Sequence, residues 1–579
     1  MNLRSCCRAG SGRAGFGIVV CLAGVLFWQP RASAVLPLPT YPLCGSIPDE
    51  DDANCPADFH EDWRYLSYIK DEYRNRVRRD EWAIGSGFWL DKAFGLETGD
   101  YAVTIAVLDS GIQWEKEDLV NKHRLNPAEL PLPKRADGST SSVHDLNGDG
   151  IFNIRDYAGD ARVTITDGED VADGLLDPSD LIAVFSDRID QDGNGYVDDI
   201  SGWDFFWNDN NPYDTVRYGH GTGEAEDSAA EGGNGDNIGT CPNCSILNLR
   251  VGDSFVTEVS TFAEAVVYAA DNGASVIQEA LGSLNNSSFT IDALNYAYEK
   301  GITVVASAAD ETSIHQNQPA NNEGTLVVHA IRYDGESEDS SRTFLAFGNC
   351  TNFGGHLDLS ISGTSCSSEA TGRGAGLVGL IYSAALHKGI TLSPNEVRQL
   401  LIQTVDDIDV KETYDDGRRM WYPSQPGWDR YFGYGRPNIY RAVDLVLTDR
   451  IPPEADLSSP EWFQVLDPSR TPVVSLEGTL AAKRSTSYTF FVEYGIVLDP
   501  LNEAFKILNQ GARATPFKGT LATFDLRTLP KEALDPASSI EPLAMDDTNV
   551  DRFEKVNRYT VTVTGPGGTT QDSVTVTVG

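Results

Sequence analysis

The stretch at 101–112, "YAVTIAVLDSGI", decides how the rest of the chain is read. From Val103 to Leu108 it is almost continuously apolar, without the polar alternation of a half-exposed strand, and it breaks at Asp109-Ser110-Gly111. Such a run suits a strand buried on both faces, as in parallel sheets covered by helices. "CSILNLRV" (244–251), "ASVIQEALG" (274–282) and "ITVVASAAD" (302–310) repeat the type. Between them, "TFAEAVVYAADNG" (261–273) and "IDALNYAYEKG" (291–301) carry helical spacing and stop on glycine. The alternation predicts an α/β domain with a mainly parallel sheet. Open sheets of that kind place ligands at the carboxyl ends of strands, where Asp109 stands.

Outward from this core, the pattern extends over 85–447, preceded by a polar, Trp-containing arm at 35–84. "TDRIPPEADLSSPEW" (448–462) reads as a Pro- and acid-rich linker. After it, "STSYTFFVEYG", "NRYTVTVTG" and "DSVTVTV" alternate with period two, which predicts an immunoglobulin-like β-sandwich over 463–579. Residues 1–34 have the form of a signal peptide: Arg4, Arg8 and Arg13, then "GFGIVVCLAGVLFW", then "ASA" at 32–34. The expectation is a secreted protein, extracellular or periplasmic, with no membrane span in the mature chain.

The chain of 579 residues carries a formal charge of -41. Removing 1–34 deletes Arg4, Arg8, Arg13 and Arg31 and no acid, which makes it -45. Such a charge repels nucleic acid and anionic membranes and suits hard cations. The same cut leaves six of nine cysteines, an even number that favours disulfides in an exported protein. Proximity suggests Cys44–Cys55, Cys241–Cys244 and Cys350–Cys366, although "CPNC" (241–244) is also compatible with a redox or half-zinc motif.

Two further polar residues stand where this architecture can use them. His220 lies in "YGHGTGEAEDSAA" (218–230), a glycine turn able to open a helix, and Ser365 lies in "SGTSCSSEATGRGAGLVGLIYSAA" (362–385), at the mouth of a long small-residue helix. A serine nucleophile needs a proton acceptor and a group that orients the acceptor, which Asp, His and Ser together supply. With the local motifs D-S-G, H-G-T and G-T-S in that order, the chain resembles the subtilisin-like serine proteases (subtilases) over roughly 85–447. The resemblance implies a three-layer fold and a serine endopeptidase acting on protein or peptide substrates. It makes Asp109 the orienting acid, His220 the general base and Ser365 the nucleophile, and it places Leu281, Gly282 and Ser283 along the substrate.

Three departures from the family pattern are acidic. Asp310 stands where subtilases have the oxyanion-binding Asn, Glu224 follows His220 by one helical turn, and Glu369 replaces a proline after the Ser motif. Asp at the oxyanion position resembles the sedolisins, with Glu224 as an auxiliary acid. An ionised Asp310 repels the oxyanion while a protonated one donates to it, so activity is expected to rise as pH falls. The leading expectation is an active serine endopeptidase; the alternatives are an acid-shifted protease and a catalytically impaired secreted binding or surface protein.

An acidic insertion at 137–200 carries calcium-loop patterns. In "DLNGDGIFNIRD" (145–156), Asp145, Asn147, Asp149, Gly150, Ile151 and Asp156 fall on positions one, three, five, six, seven and twelve; Gly150 makes the turn and Ile151 offers its backbone carbonyl. "DQDGNGYVDD" (190–199) offers Asp190, Asp192, Asn194, Asp198 and Asp199, and "EDVADGLLDPSD" (169–180) is a weaker copy with Val171 at position three. Structural calcium (Ca2+) is the expected cofactor.

Overall fold

The four apolar runs form the centre of an eight-stranded sheet in the computed structural model, which describes residues 62–578 apart from 164, 166–173, 234–236, 256, 315, 336–341, 349, 410–421, 423, 463, 497–503 and 531–555. The expected leader, residues 35–61 of the arm and the Cys44–Cys55 pairing lie outside the described residues. The strands are β1 (Thr104–Asp109), β2 (Trp203–Asp204), β3 (Ser245–Arg250), β4 (Val276–Glu279), β5 (Thr303–Ser307), β6 (Thr325–Asp334), β7 (Thr343–Phe347) and β8 (Leu359–Ser362). They run in the order β2-β3-β1-β4-β5-β6-β7, with β8 paired to β6. Only the β6–β7 pair is antiparallel. Leu108 lies opposite Leu249 and Glu279, and Glu279 opposite Ala306, so Asp109 and the ends of β3, β4 and β5 share one edge.

Helices of eight residues or more are α1 (Pro178–Phe185), α2 (His220–Ala229), α3 (Val259–Asp271), α4 (Ser288–Glu299), α5 (Ser367–Lys388), α6 (Pro394–Gln403) and α7 (Ile439–Leu447). Alternate residues of β1 feed two cores. Ile105 and Val107 join Ala225, Leu377, Ile381 and Val443 on one face; Ala106 and Leu108 join Val266, Leu294 and Val304 on the other. Helices therefore cover both faces, and burial of each Leu, Ile or Val contributes about 1.5–3 kcal/mol. Among the described residues no helix is long and apolar enough to cross a membrane.

Residues 62–84 lie against the antiparallel edge of the sheet: the Trp63 ring sits 5.2 Å from that of Phe344, and Phe344 N donates to Glu81 Oε2 at 2.9 Å. Cys241–Cys244 and Cys350–Cys366 are disulfides, so "CPNC" is not half of a zinc site.

The segment expected as a linker is partly a strand. β9 (Glu454–Ser459) pairs antiparallel with β11 (Val473–Ala481), because Ala455 and Leu457 alternate inward and are fully buried. The remaining strands are β10 (Val465–Leu466), β12 (Tyr488–Ile496), β13 (Lys506–Arg513), β14 (Phe517–Asp525), β15 (Val556–Gly565) and β16 (Gly568–Val578). They form sheets ordered β10-β16-β15-β12-β13 and β14-β11-β9, which share one core that includes Leu457, Leu476, Val492, Phe524 and Val561. Pairing is antiparallel except for β10 with β16.

Candidate active site

Asp109 is the last residue of β1 and is 1% exposed. Its Oδ1 accepts Ser110 N and His220 Nδ1, both at 2.7 Å. Glycine makes the second contact possible. A Cβ on Gly221 would lie 2.3 Å from Gly111 O and 2.9 Å from Asp109 Cβ, so only glycine lets the start of α2 come this close to β1. Asp214 fixes the same corner by accepting Ser110 Oγ at 3.1 Å and Thr222 Oγ1 at 2.9 Å.

Burial opposes a charge on His220, but Asp109, Glu224 and Asp214 outweigh it and raise its pKa to about 9. The ring is packed edge-on against Phe255 and Tyr218, with centroids at 5.1 and 5.7 Å. Ser365 is exposed and lies two residues before α5. Among the described residues its hydroxyl makes no hydrogen bond to His220, whose Nε2 is buried without a partner.

The backbone at Ser365 is occupied. Glu369 Oε2 accepts Ser365 N at 2.6 Å and Thr364 N at 2.7 Å. Its Oε1 accepts Arg373 Nε at 3.0 Å and Nη1 of Arg64, which comes from the N-terminal segment. Burial disfavours the Glu369 charge, but Arg373, Arg64 and the two backbone N–H groups hold its pKa down to about 2. Arg373 is itself buried and pairs with Asp227 at 2.8 Å. The i,i+4 spacing of Glu369 and Arg373 was visible in the sequence; Arg64, distant along the chain, was not.

Asp310 does not face the Ser365 hydroxyl as a free carboxylate. Its Oδ1 accepts the N–H of Ser367 at 2.9 Å and the Ser367 hydroxyl, so it caps α5. Loss of water contact raises its pKa and the Ser367 bonds oppose the rise. Glu224 is also not an acid presented to substrate. It is buried between α2 and β4, with Gln278 Nε2 at 3.4 Å from its Oε2 and 2.9 Å from its backbone oxygen, and burial pushes its pKa well up. Glu279, which no sequence motif singles out, ends β4 fully buried, and burial, followed by the Asp109 charge, pushes its carboxyl well up.

The expected substrate-lining segment is engaged with its own chain. The Leu281 side chain packs in the second core. Gly282 N donates to Phe255 O at 3.1 Å and Gly282 O accepts Thr257 N at 3.0 Å, while Ser283 and Gln318 exchange backbone bonds at 2.8 and 3.1 Å.

In the insertion, Asp145, Asn147 and Asp149 receive N–H groups of their own loop, and Asp149 also pairs with Arg155 at 3.1 Å. Asp156 is fully buried and accepts Leu146 N, Asn147 N and Asn153 N. Asp190, Asp192 and Asn194 form a similar turn. The weaker copy is a helix start instead: Asp177 and Asp180 form the capping box of α1. Glu169 and Asp173 lie outside the described residues.

The Subtilase family profile matches residues 100–435. The chain is 33% identical over 257 residues to the thermophilic serine proteinase of Bacillus sp. (strain AK1), covering 42% of this chain and 56% of that protein. It is 29% identical over 305 residues to thermitase of Thermoactinomyces vulgaris, covering 51% of this chain and 98% of thermitase. The sphericase structure aligns at 21% identity and a TM-score of 0.37, covering 59% of this chain and 92% of that one. With the match spanning more than half its length, the chain belongs to the subtilase family of serine proteases.

Proposed function

We propose that the protein is a secreted serine endopeptidase that cleaves protein or peptide substrates through Asp109, His220 and Ser365. The observation that carries the reading is the 2.7 Å bond from His220 Nδ1 to Asp109 Oδ1, made at the strand edge where this fold takes its ligands. That bond fixes the tautomer, leaving Nε2 to accept the Ser365 proton as Oγ attacks the scissile carbonyl. The imidazolium is then held by Asp109 until it protonates the leaving amine. Labelling with a fluorophosphonate tests this directly. Covalent modification should map to Ser365 and disappear in Ser365→Ala and His220→Ala; modification that persists in Ser365→Ala refutes the assignment.

A second reading, a weak catalyst, is favoured by Glu369. The Ser365 N–H that would receive an oxyanion already donates to a carboxylate held ionised by two arginines. Loss of one oxyanion donor in a subtilisin costs about 10²–10³ in rate. Gly282, whose N–H and C=O are both taken by Phe255 and Thr257, offers no free backbone group to an extended substrate in this state. Acid activation is disfavoured, because His220 at about 9 becomes a base only as pH rises. Calcium, where bound in the insertion, would act structurally.

A further inference from the structure

The loops at 145–156 and 190–201 are built on the same hydrogen-bond plan. In each, the first residue's carboxylate receives the N–H groups of the fourth and sixth: Gly148 and Gly150 to Asp145 at 2.7 and 3.0 Å, Gly193 and Gly195 to Asp190 at 2.6 and 2.9 Å. The third residue's side chain receives the fifth N–H, and the fifth residue's receives the seventh. In the first loop the twelfth residue, Asp156, closes the turn by accepting the second and third N–H groups at 2.8 and 3.1 Å.

The second loop has Ser201 at its twelfth position, and the Ser201 hydroxyl points away, to Arg124 O at 3.2 Å. Its second and third N–H groups, of Gln191 and Asp192, go instead to Glu129 Oε1 at 2.8 and 3.1 Å. Glu129 lies before the insertion and thus enters this loop from outside. It is 2% exposed, and its other oxygen, Oε2, is buried with no hydrogen-bond partner among the described residues. One oxygen each of Glu129, Asp190 and Asp192 falls within 4.8 Å of the others. A buried carboxylate with one unpaired oxygen, beside two more carboxylates, is stable only with a cation or a proton.

We propose that Glu129 supplies the missing twelfth-position ligand of the 190–201 loop, making with Asp190, Asp192 and Asn194 a site for a hard divalent cation, calcium by its all-oxygen donors. In the 145–156 loop the corresponding oxygens are already engaged: both oxygens of Asp156 accept backbone N–H groups, and Asp149 pairs with Arg155. The 190–201 loop is therefore the tighter site. Because Glu129 precedes the insertion and the loop ends it, the cation would staple the insertion closed at its base. Asp199, in the same loop, is tied to Tyr268 on α3 and to Asn126.

Calorimetric titration of the full Ser365→Ala chain with calcium chloride tests this, with limited proteolysis of the insertion as a second readout. Glu129→Gln and Asp190→Asn should each weaken the tightest site at least tenfold and expose 137–200 to trypsin at calcium concentrations that protect the parent. Asp145→Asn should retain that site. Thermal unfolding in EDTA, where parent and variants should nearly coincide, guards against simple misfolding. Unchanged binding in Glu129→Gln, loss of the tightest site in Asp145→Asn, or no calcium binding by the parent overturns the proposal.

Discussion

The backbone N–H of Ser365 donates to Glu369 Oε2 at 2.6 Å, so the proposed nucleophile carries, on its own amide, a carboxylate from one turn into α5. An oxyanion generated at Ser365 would have to displace it. Glu369 stays ionised throughout the working range, with a pKa near 2 set by Arg373 and Arg64 against the effect of burial. Mild acid therefore does not release it.

The pH dependence follows from His220. Its raised pKa, about 9, means the imidazole is protonated and unable to act as a base below that value. The rate of fluorophosphonate labelling should climb about tenfold per pH unit from pH 6 to 8 and level off above about 9. A rate that rises towards pH 4 would restore the acid-shifted reading.

Asp310→Asn replaces the cap of α5 with an amide that still accepts from Ser367 N–H through its oxygen while presenting a donor. Peptide hydrolysis at pH 7 should increase, by up to about 10². Stability should fall by about 1 kcal/mol, since a neutral cap is weaker than a charged one. Steady-state kinetics with thermal melts check both.

Gly221→Ala puts a methyl group 2.3 Å from Gly111 O, so α2 must lift away from β1. The Asp109–His220 bond should be lost with it. Stability should drop by about 1–3 kcal/mol, and labelling of Ser365 should become undetectable.

Burial, and then the Asp109 charge, pushes the Glu279 carboxyl well above its ordinary range. A raised folded pKa means that its contribution to stability is full below the unfolded value and declines as pH rises through the folded one. Glu279→Gln, which is neutral at every pH, should leave stability unchanged near pH 4 and increase it by about 1–2 kcal/mol at pH 8. Urea unfolding at the two pH values measures the difference.

Much of this arrangement is legible in the sequence, for identifiable reasons. The runs ending at Asp109, Glu279 and Asp310 lack polar alternation because both faces are covered, and that lack marks β1, β4 and β5 as central strands. β9 was hidden by Pro452, Pro453 and Pro460 around it, although Ala455 and Leu457 supply the alternation. Asp310 could be placed near the site but its partner could not, because sequence cannot tell a carboxylate facing substrate from one capping the next helix. Arg64 on Glu369 and Glu129 on Gln191 join residues far apart in the chain, for which no local spacing exists.

The most direct test of a serine peptidase restrained at Ser365 is the turnover number of Glu369→Asp and Glu369→Ala on a peptide substrate at pH 8.5. Glu369→Asp keeps a charge for Arg373 but is one methylene too short for Ser365 N–H; Glu369→Ala frees the amide outright. In variants that melt like the parent, kcat should rise at least tenfold with KM within about twofold, and Ser365→Ala should abolish the gain. A kcat that stays level or falls in both folded variants, or a gain that survives Ser365→Ala, contradicts the account.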